Sequence, residues 1–296
     1  MTHKHLHIAF LGIGLMGAPM TRNLLNAGFP MTLWNRTSSK CEPFASEAVI
    51  AESPAEAVAN ADVVITMLEN SDVVEQVLVA QGAIDALKPG ALVIDMSSIQ
   101  PSVARRHGEL VAEQGAGYVD APVSGGTVGA AEARLSIMAG GSEADVDRAR
   151  PVFEALGKCT RIGPVGAGQL AKLANQVIVG ITIGAVSEAL LLAQEGGCDP
   201  AAVREALMGG FAGSKIMEVH GQRILDNDFK PGFKVGLHQK DMRIVMETAH
   251  QLGVALPAAA LVTQHLNALM GSGDAELDSA AVVKVIERMS GIGGKD

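Results

Sequence analysis

The sequence predicts an α/β fold, a doubly wound parallel sheet followed by an all-α C-terminal domain. Three observations predict it. Short β-rich runs alternate with helical stretches through the first half, the pattern of a parallel sheet wrapped by helices. A Gly-x-Gly-x-x-Gly run stands between the first strand-like run and the first helical stretch. After Gly163 the strand signal stops, and helical periodicity runs almost to the end.

Taken in order, Ile8–Leu11 reads as the first strand. Residues 15–27 read as a helix closed by Gly28 at its C-terminal cap. Met31–Trp34 is the second strand. Ser53, Pro54 and Glu56 offer an N-cap, a proline in the first turn and a glutamate to complete a capping box. Residues 61–68 form a continuous apolar strand, as expected when both sheet faces are covered. Residues 91–96 and 118–121 are further strands, each preceded by a glycine-containing turn. Residues 135–139 and 160–162 are the last strands, separated by a helix that begins near Ser142. Helical breaks then fall at Gly196-Gly197, Gly209-Gly210, Pro231-Gly232 and Gly271-Ser272-Gly273. The expected division is residues 1–165 for a nucleotide-binding domain and 166–296 for an all-helical domain concerned with substrate and oligomer contacts. A helix from about Gly168 to Gly196 forms the backbone of the second.

The length of 296 residues suits two domains, and 48% hydrophobic residues against 19% charged ones allow a sizeable core. The net charge of −9 points away from nucleic acid and anionic membranes, but a small anionic ligand needs only two or three local cations. Cys41, Cys159 and Cys198 lie far apart, so free thiols in a reducing, cytoplasmic setting are expected rather than a zinc site or disulfides. The glycines of the first 20 residues suit a turn better than a signal peptide. His3, His5 and His7 read as a polar entry to the first strand, not as metal ligands. The nearly apolar stretch 176–193 has membrane-spanning length. Its Gln176, Thr182, Ser187 and Glu188, and the lack of flanking basic clusters, favour a helix buried on several sides.

Gly12-Ile13-Gly14-Leu15-Met16-Gly17 follows a strand and opens a helix, the Rossmann-type arrangement for a dinucleotide. The first glycine permits the tight turn and the second lets backbone approach the pyrophosphate. The third allows close helix–strand packing. An NAD site usually places an acidic residue at the end of strand two. Here Asn35-Arg36-Thr37 stand there, with Lys40 nearby, so a 2′-phosphate would be gripped rather than repelled and NADP is expected. Met67, Leu68, Asn70 and Ser98 sit at the carboxyl ends of two strands, where ligands of open α/β sheets bind. In the second domain Lys172 and Asn175 are three apart and share a helix face amid apolar neighbours. An ammonium there could protonate an oxygen as hydride reaches its carbon, while Asn175 holds the substrate oxygen.

With these motifs in hand, the chain resembles the β-hydroxyacid dehydrogenase family, which includes 3-hydroxyisobutyrate dehydrogenases and tartronate semialdehyde reductases. The carriers are the 10–20 glycine run, Asp120-Ala121-Pro122-Val123-Ser124-Gly125-Gly126, the 168–176 helix motif and Lys240-Asp241. The resemblance implies that Lys172 is the acid/base and that Ser124, Gly125 and Gly126 bind the acidic group of the substrate with help from Asn175. It implies that Lys240 reaches the cofactor side, oriented by Asp241, and that the protein is a homodimer or homotetramer. Segments 173–179, 209–214 and 229–233 look most like the tartronate semialdehyde reductase branch. The function so implied is NADPH-dependent reduction of a small 3-oxo acid, without a metal. Alternatives keep the machinery but take 3-hydroxyisobutyrate, another semialdehyde or a keto-phosphonate. A non-catalytic NADP-binding protein is a further alternative, whose expected mark would be loss of the lysine.

Overall fold

The computed structural model describes residues 6–292. It contains two compact units, Met1–Lys172 and Leu173–Asp296. The division falls inside a helix.

The first unit is built on one sheet. Its elements are β1 (Ile8–Leu11), α1 (Gly17–Asn26), β2 (Met31–Trp34), β3 (Val49–Ile50), α2 (Pro54–Val58), β4 (Val63–Thr66) and α3 (Ser71–Glu75). Then come β5 (Leu92–Asp95), α4 (Pro101–Glu113), β6 (Gly117–Asp120), β7 (Val123–Ser124), α5 (Gly126–Ala131), β8 (Leu135–Gly140), α6 (Glu143–Glu154) and β9 (Gly157–Gly163). Strands run in the order β3-β2-β1-β4-β5-β6-β8-β7, with β9 on the other side of β8. The six from β3 to β6 are parallel. The order reverses between β1 and β4, the switch point where such sheets bind ligands.

The apolar strands are explained by burial on two faces. Ile8 and Phe10 enter one cluster with Leu33, Ile65 and Ile94, while Ala9 and Leu11 enter another with Trp34, Val64 and Val93. Alternate residues thus serve opposite layers, and the polar side chains the strands do bury, such as Thr66 and Asp95, pair with each other at the strand ends.

Several sequence expectations shift in detail. The first helix starts at Gly17 rather than residue 15, because residues 14–16 are still turning out of the glycine loop. The Ser53 side chain caps α2 through the Glu56 amide, but the Glu56 carboxylate accepts from the Glu52 amide, so the capping box closes one residue early. The strands at 61–68 and 91–96 are trimmed to four residues each, the strand at 118–121 shifts by one residue to Gly117–Asp120, and the edge strand seen at 160–162 extends over Gly157–Gly163. The short β3 and β7 were not expected. His7 donates its backbone N–H to Asp62 and its ring pairs with Thr32 at 2.9 Å; His3 and His5 lie outside the described residues. The three cysteines are free thiols.

The helix α7 (Ala167–Glu195) begins in the first unit and continues into the second, which adds α8 (Pro200–Met208), α9 (Lys215–Leu225), α10 (Val235–Leu252), α11 (Pro257–Gly271) and α12 (Val282–Met289). By length and composition α7 could cross a membrane. In this fold its Leu173 and Ile183 pack with Val235, Met242, Val262 and Leu266, and its Val186 and Leu190 pack with Met217. It is the core helix of the second unit.

Candidate active site

The glycine turn links β1 to α1. At Gly12 φ is +110°, and a Cβ there would lie 2.4 Å from the Met67 carbonyl oxygen. At Gly17 it would lie 1.9 Å from the Gly12 carbonyl oxygen. The protein itself requires both glycines. Gly14 differs, since a Cβ built there meets nothing within 4 Å. The fold itself therefore does not require a glycine there, and the open space leaves the backbone approachable, as a pyrophosphate would need. Ile13 is buried, Met16 half-buried, and Leu15 is exposed despite being apolar.

Asn35 follows β2 directly. Its Oδ1 accepts the Ile13 amide at 2.9 Å, and its Nδ2 donates to the Thr37 carbonyl at 2.9 Å. One side chain therefore holds the glycine loop and the loop bearing Arg36 in fixed relation. Arg36, Thr37 and Lys40 are exposed.

At the ends of β4 and β5 the polar groups interlock. Asp95, wholly buried, accepts from the Thr66 hydroxyl at 2.7 Å and from the Ser97 amide at 2.9 Å. Burial pushes its carboxyl up, against the pull of those bonds. The Ser97 hydroxyl accepts the Leu68 amide at 2.9 Å, tying the two strand ends together. Met67, Leu68 and Ser98 are half-buried around this junction. Asn70 has a structural task, since its Oδ1 accepts the Val73 amide and caps α3.

Ser124 is not in a free loop. It belongs to β7 and pairs with Ser136 of β8. Gly125, with φ +138°, and Gly126, with φ +62°, then turn the chain into α5, and both are exposed. One residue before Ser124, the Val123 carbonyl accepts a hydrogen bond from Lys172 Nζ at 2.9 Å. Lys172 is only 8% exposed, so its ammonium is held at a defined point beside Ser124.

Asp120 fixes the start of the helix that carries this lysine. Its Oδ1 accepts from the Gly166 amide at 2.7 Å and its Oδ2 from the Gln169 amide at 2.8 Å, which satisfies orphan donors of the first turn of α7. Burial raises the carboxyl to about 7 despite these amides, and the nearby Asp95 adds to the rise.

In the second unit Asn175 and Lys240 fall into one network. Asn175 Nδ2 donates to Gln176 Oε1 at 2.7 Å, and Gln176 Nε2 donates to Asp241 Oδ2 at 2.7 Å. The other oxygen of Asp241 pairs with Lys240 Nζ at 3.0 Å. Among the described residues, no group of three or more His, Cys, Asp or Glu is gathered as for a metal ion.

Sequence reasoning gave no individual role to Asp120, Gln169 or Gln176; it set Ser97 beside Ser98 on the cofactor's path, whereas its hydroxyl ties β5 to the Leu68 amide. Their signal was present. Asp95 and Asp120 each end an apolar strand, and the two glutamines interrupt an apolar helix.

Residues 7–163 match the family described as the NAD binding domain of 6-phosphogluconate dehydrogenase. Residues 166–286 match the NAD-binding family of NADP-dependent 3-hydroxyisobutyrate dehydrogenase. The chain is similar to the 2-hydroxy-3-oxopropionate reductase of Escherichia coli, 42% identical over 96% of this chain and 98% of that one. It is also similar to the NAD-dependent L-serine dehydrogenase of Pseudomonas aeruginosa, 35% identical over 96% and 99%. Among solved structures it resembles the 3-hydroxyisobutyrate dehydrogenase of Mycobacterium tuberculosis with L-serine, with a TM-score of 0.87, 35% identity and coverage of 95% and 99%. With its glycine turn, switch-point sheet and helical second unit, the chain belongs to the β-hydroxyacid dehydrogenase family and is an oxidoreductase with an NAD(P)-binding Rossmann domain.

Proposed function

We propose that this protein uses NADPH to reduce a small 3-oxo acid of the tartronate semialdehyde type to the hydroxy acid. The observation that carries the reading is the buried Lys172 ammonium, held 2.9 Å from the Val123 carbonyl and next to Ser124. The similarity to the E. coli reductase supports the substrate class.

A bound reduced nicotinamide supplies the hydride to the carbonyl carbon. The chain's own residues do the rest. Lys172 donates a proton to the oxygen as negative charge develops there, and water later restores the ammonium. The proton is placed within a buried setting, where competing water is scarce. Ser124 with the backbone of Gly125 and Gly126 binds the acidic group of the substrate, and Asn175 holds its hydroxyl or carbonyl oxygen. Gly12 to Gly17, together with Met67, Leu68, Asn70 and Ser98, lines the dinucleotide. Lys240 is its ligand from the second unit, on the family motif. Arg36, with Asn35, Thr37 and Lys40, receives the 2′-phosphate, because no carboxylate follows β2 in the sequence to repel it.

The test is a substrate panel run with both dinucleotides. It holds 2-hydroxy-3-oxopropanoate, 3-hydroxyisobutyrate, L-serine and 2-oxopropylphosphonate. The highest kcat/KM is expected for 2-hydroxy-3-oxopropanoate with NADPH. No turnover of that compound would remove the substrate assignment, and equal use of NADH would remove the cofactor preference.

A further inference from the structure

Gln169 lies one turn before Lys172 on α7 and is 1% exposed. Its amide is engaged at both ends with one short piece of backbone. Oε1 accepts the Ile99 amide at 3.1 Å, and Nε2 donates to the Ser97 carbonyl at 2.8 Å. Ser98 stands between those two contacts. The piece of backbone so gripped is the loop that follows β5, where the chain lines the dinucleotide in the reading above.

The helix turn that carries Gln169 is itself immobilised. Asp120 accepts two of its amides, and the approach is so close that a Cβ at Gly168 would lie 2.3 Å from the Met138 carbonyl oxygen. A Cβ at Gly140 would lie 2.5 Å from Asp120 Oδ1. Gln169 is therefore a rigid bracket. Its backbone is fixed to β6, its side chain to the loop after β5, and the next turn of the same helix presents Lys172 to Val123. A leucine of similar size would fill the same volume without any of these bonds. A buried amide that uses both donor and acceptor on one tripeptide costs desolvation on each side and, once satisfied, fixes that tripeptide to one position on the helix.

We propose that Gln169 is a positioning residue for the reduction, setting the Ser97–Ile99 backbone in register with the helix turn that carries the proton donor. This rests on the reading of Lys172 as that donor. A misplacement of about 1 Å between reacting partners can cost about 100-fold in rate, so loss of the bracket should appear in kcat.

The experiment uses full-length Gln169→Leu and Gln169→Glu, with Lys172→Ala beside them, on the panel substrate with the highest kcat/KM. Gln169→Glu keeps the shape and can accept the Ile99 amide but, as a carboxylate, cannot donate to Ser97. Both Gln169 variants should lose about 10- to 100-fold in kcat with KM for the acid changed far less. The isotope effect with C4-deuterated NADPH should rise as hydride transfer becomes slower than product release. A readout free of turnover is hydrogen exchange at the Ile99 amide, which should quicken by up to about tenfold in Gln169→Leu. Should that variant fail to fold, Gln169→Glu carries the decision. A folded Gln169 variant with wild-type kcat and isotope effect overturns the proposal while Lys172→Ala is inactive. If Lys172→Ala turns over normally, the donor assignment falls first and the positioning role with it.

Discussion

The three glycines of the dinucleotide turn are expected to fail for different reasons when mutated, and Gly14→Ala beside Gly17→Ala shows this most sharply. At Gly17 the added methyl would sit 1.9 Å from the Gly12 carbonyl oxygen, which is backbone and cannot rotate away. The helix must move off the strand, at a cost of about 1–3 kcal/mol or more. For a unit of this size that lowers Tm by roughly 2–4 °C per kcal/mol. At Gly14 the same methyl meets no protein atom within 4 Å, and φ there is outside the left-handed range. Gly14→Ala should thus leave Tm unchanged or raise it slightly, by the roughly 0.4–1 kcal/mol that a less flexible unfolded chain gives. Yet it should weaken NADPH binding by at least about tenfold, since the methyl occupies the path of the pyrophosphate. Thermal melting of the ligand-free proteins and fluorescence titration with NADPH read the two quantities separately. Normal NADPH affinity in Gly14→Ala would refute the turn as the phosphate cradle. A large loss of Tm in Gly14→Ala would refute the claim that this glycine serves the ligand rather than the fold.

Arg36→Asp should shift the NADPH/NADH ratio of kcat/KM by about 10- to 100-fold toward NADH, the worth of one charge-assisted phosphate grip; an unchanged ratio would count against the 2′-phosphate assignment. Lys172→Ala should lose most turnover while its NADPH affinity by fluorescence stays near wild type, and near-normal rates would remove the lysine from the chemistry. Denaturation across pH should show two opposed carboxyl effects. Asp120 holds its proton to about 7 in the fold, so its contribution to stability is full below about pH 4 and is lost as pH rises toward 7. Moving a carboxyl from 3.8 to about 7 is worth on the order of 4 kcal/mol at most, and Asp120→Asn should flatten that slope. Asp278 is the reverse. Burial would raise it, but His220 and the amides of Phe233 and Ala280 outweigh burial and hold it at about 2. It stabilises above about pH 4, and on the order of 2 kcal/mol is lost as pH falls through 2. An acid limb unchanged in Asp278→Asn would contradict this.

The sheet was readable because its strands obey a simple rule. Every residue of β1 or β5 faces one of two apolar layers, so Ile8–Leu11 and Leu92–Asp95 appear as unbroken apolar runs closed by a polar residue or glycine. The elements missed were β3, β7, α3 and α5, of two to six residues, where tertiary pairing rather than local pattern decides, and the longer α4, whose start at Pro101 was a signal passed over. Of the candidate site, the local setting was readable where a residue type has one physical reason, as with the close approaches at Gly12 and Gly17 or the burial of Lys172 in apolar company. It was unreadable where a contact joins distant segments. Nothing in the order of residues says that Asn35 would hold Ile13, or that Asp120 would hold residues 166 and 169.

The early turns of α7 show how such contacts could be sought from sequence. Most of that helix is Leu, Ile, Val, Ala and Gly, yet Gln169, Lys172 and Gln176 lie three or four apart, so a single stripe carries them. All three are buried, and leaving a polar group of this kind unpaired would cost about 1–3 kcal/mol each. Each has a partner in a different segment: Ser97 and Ile99, Val123, and Asp241. An apolar residue at any of these positions would leave the partner in the other segment buried and unpaired. The stripe therefore marks where placement of groups, rather than burial of surface, set the choice of residue. Below it, at Ile183, Val186 and Leu190, the same helix reverts to ordinary core.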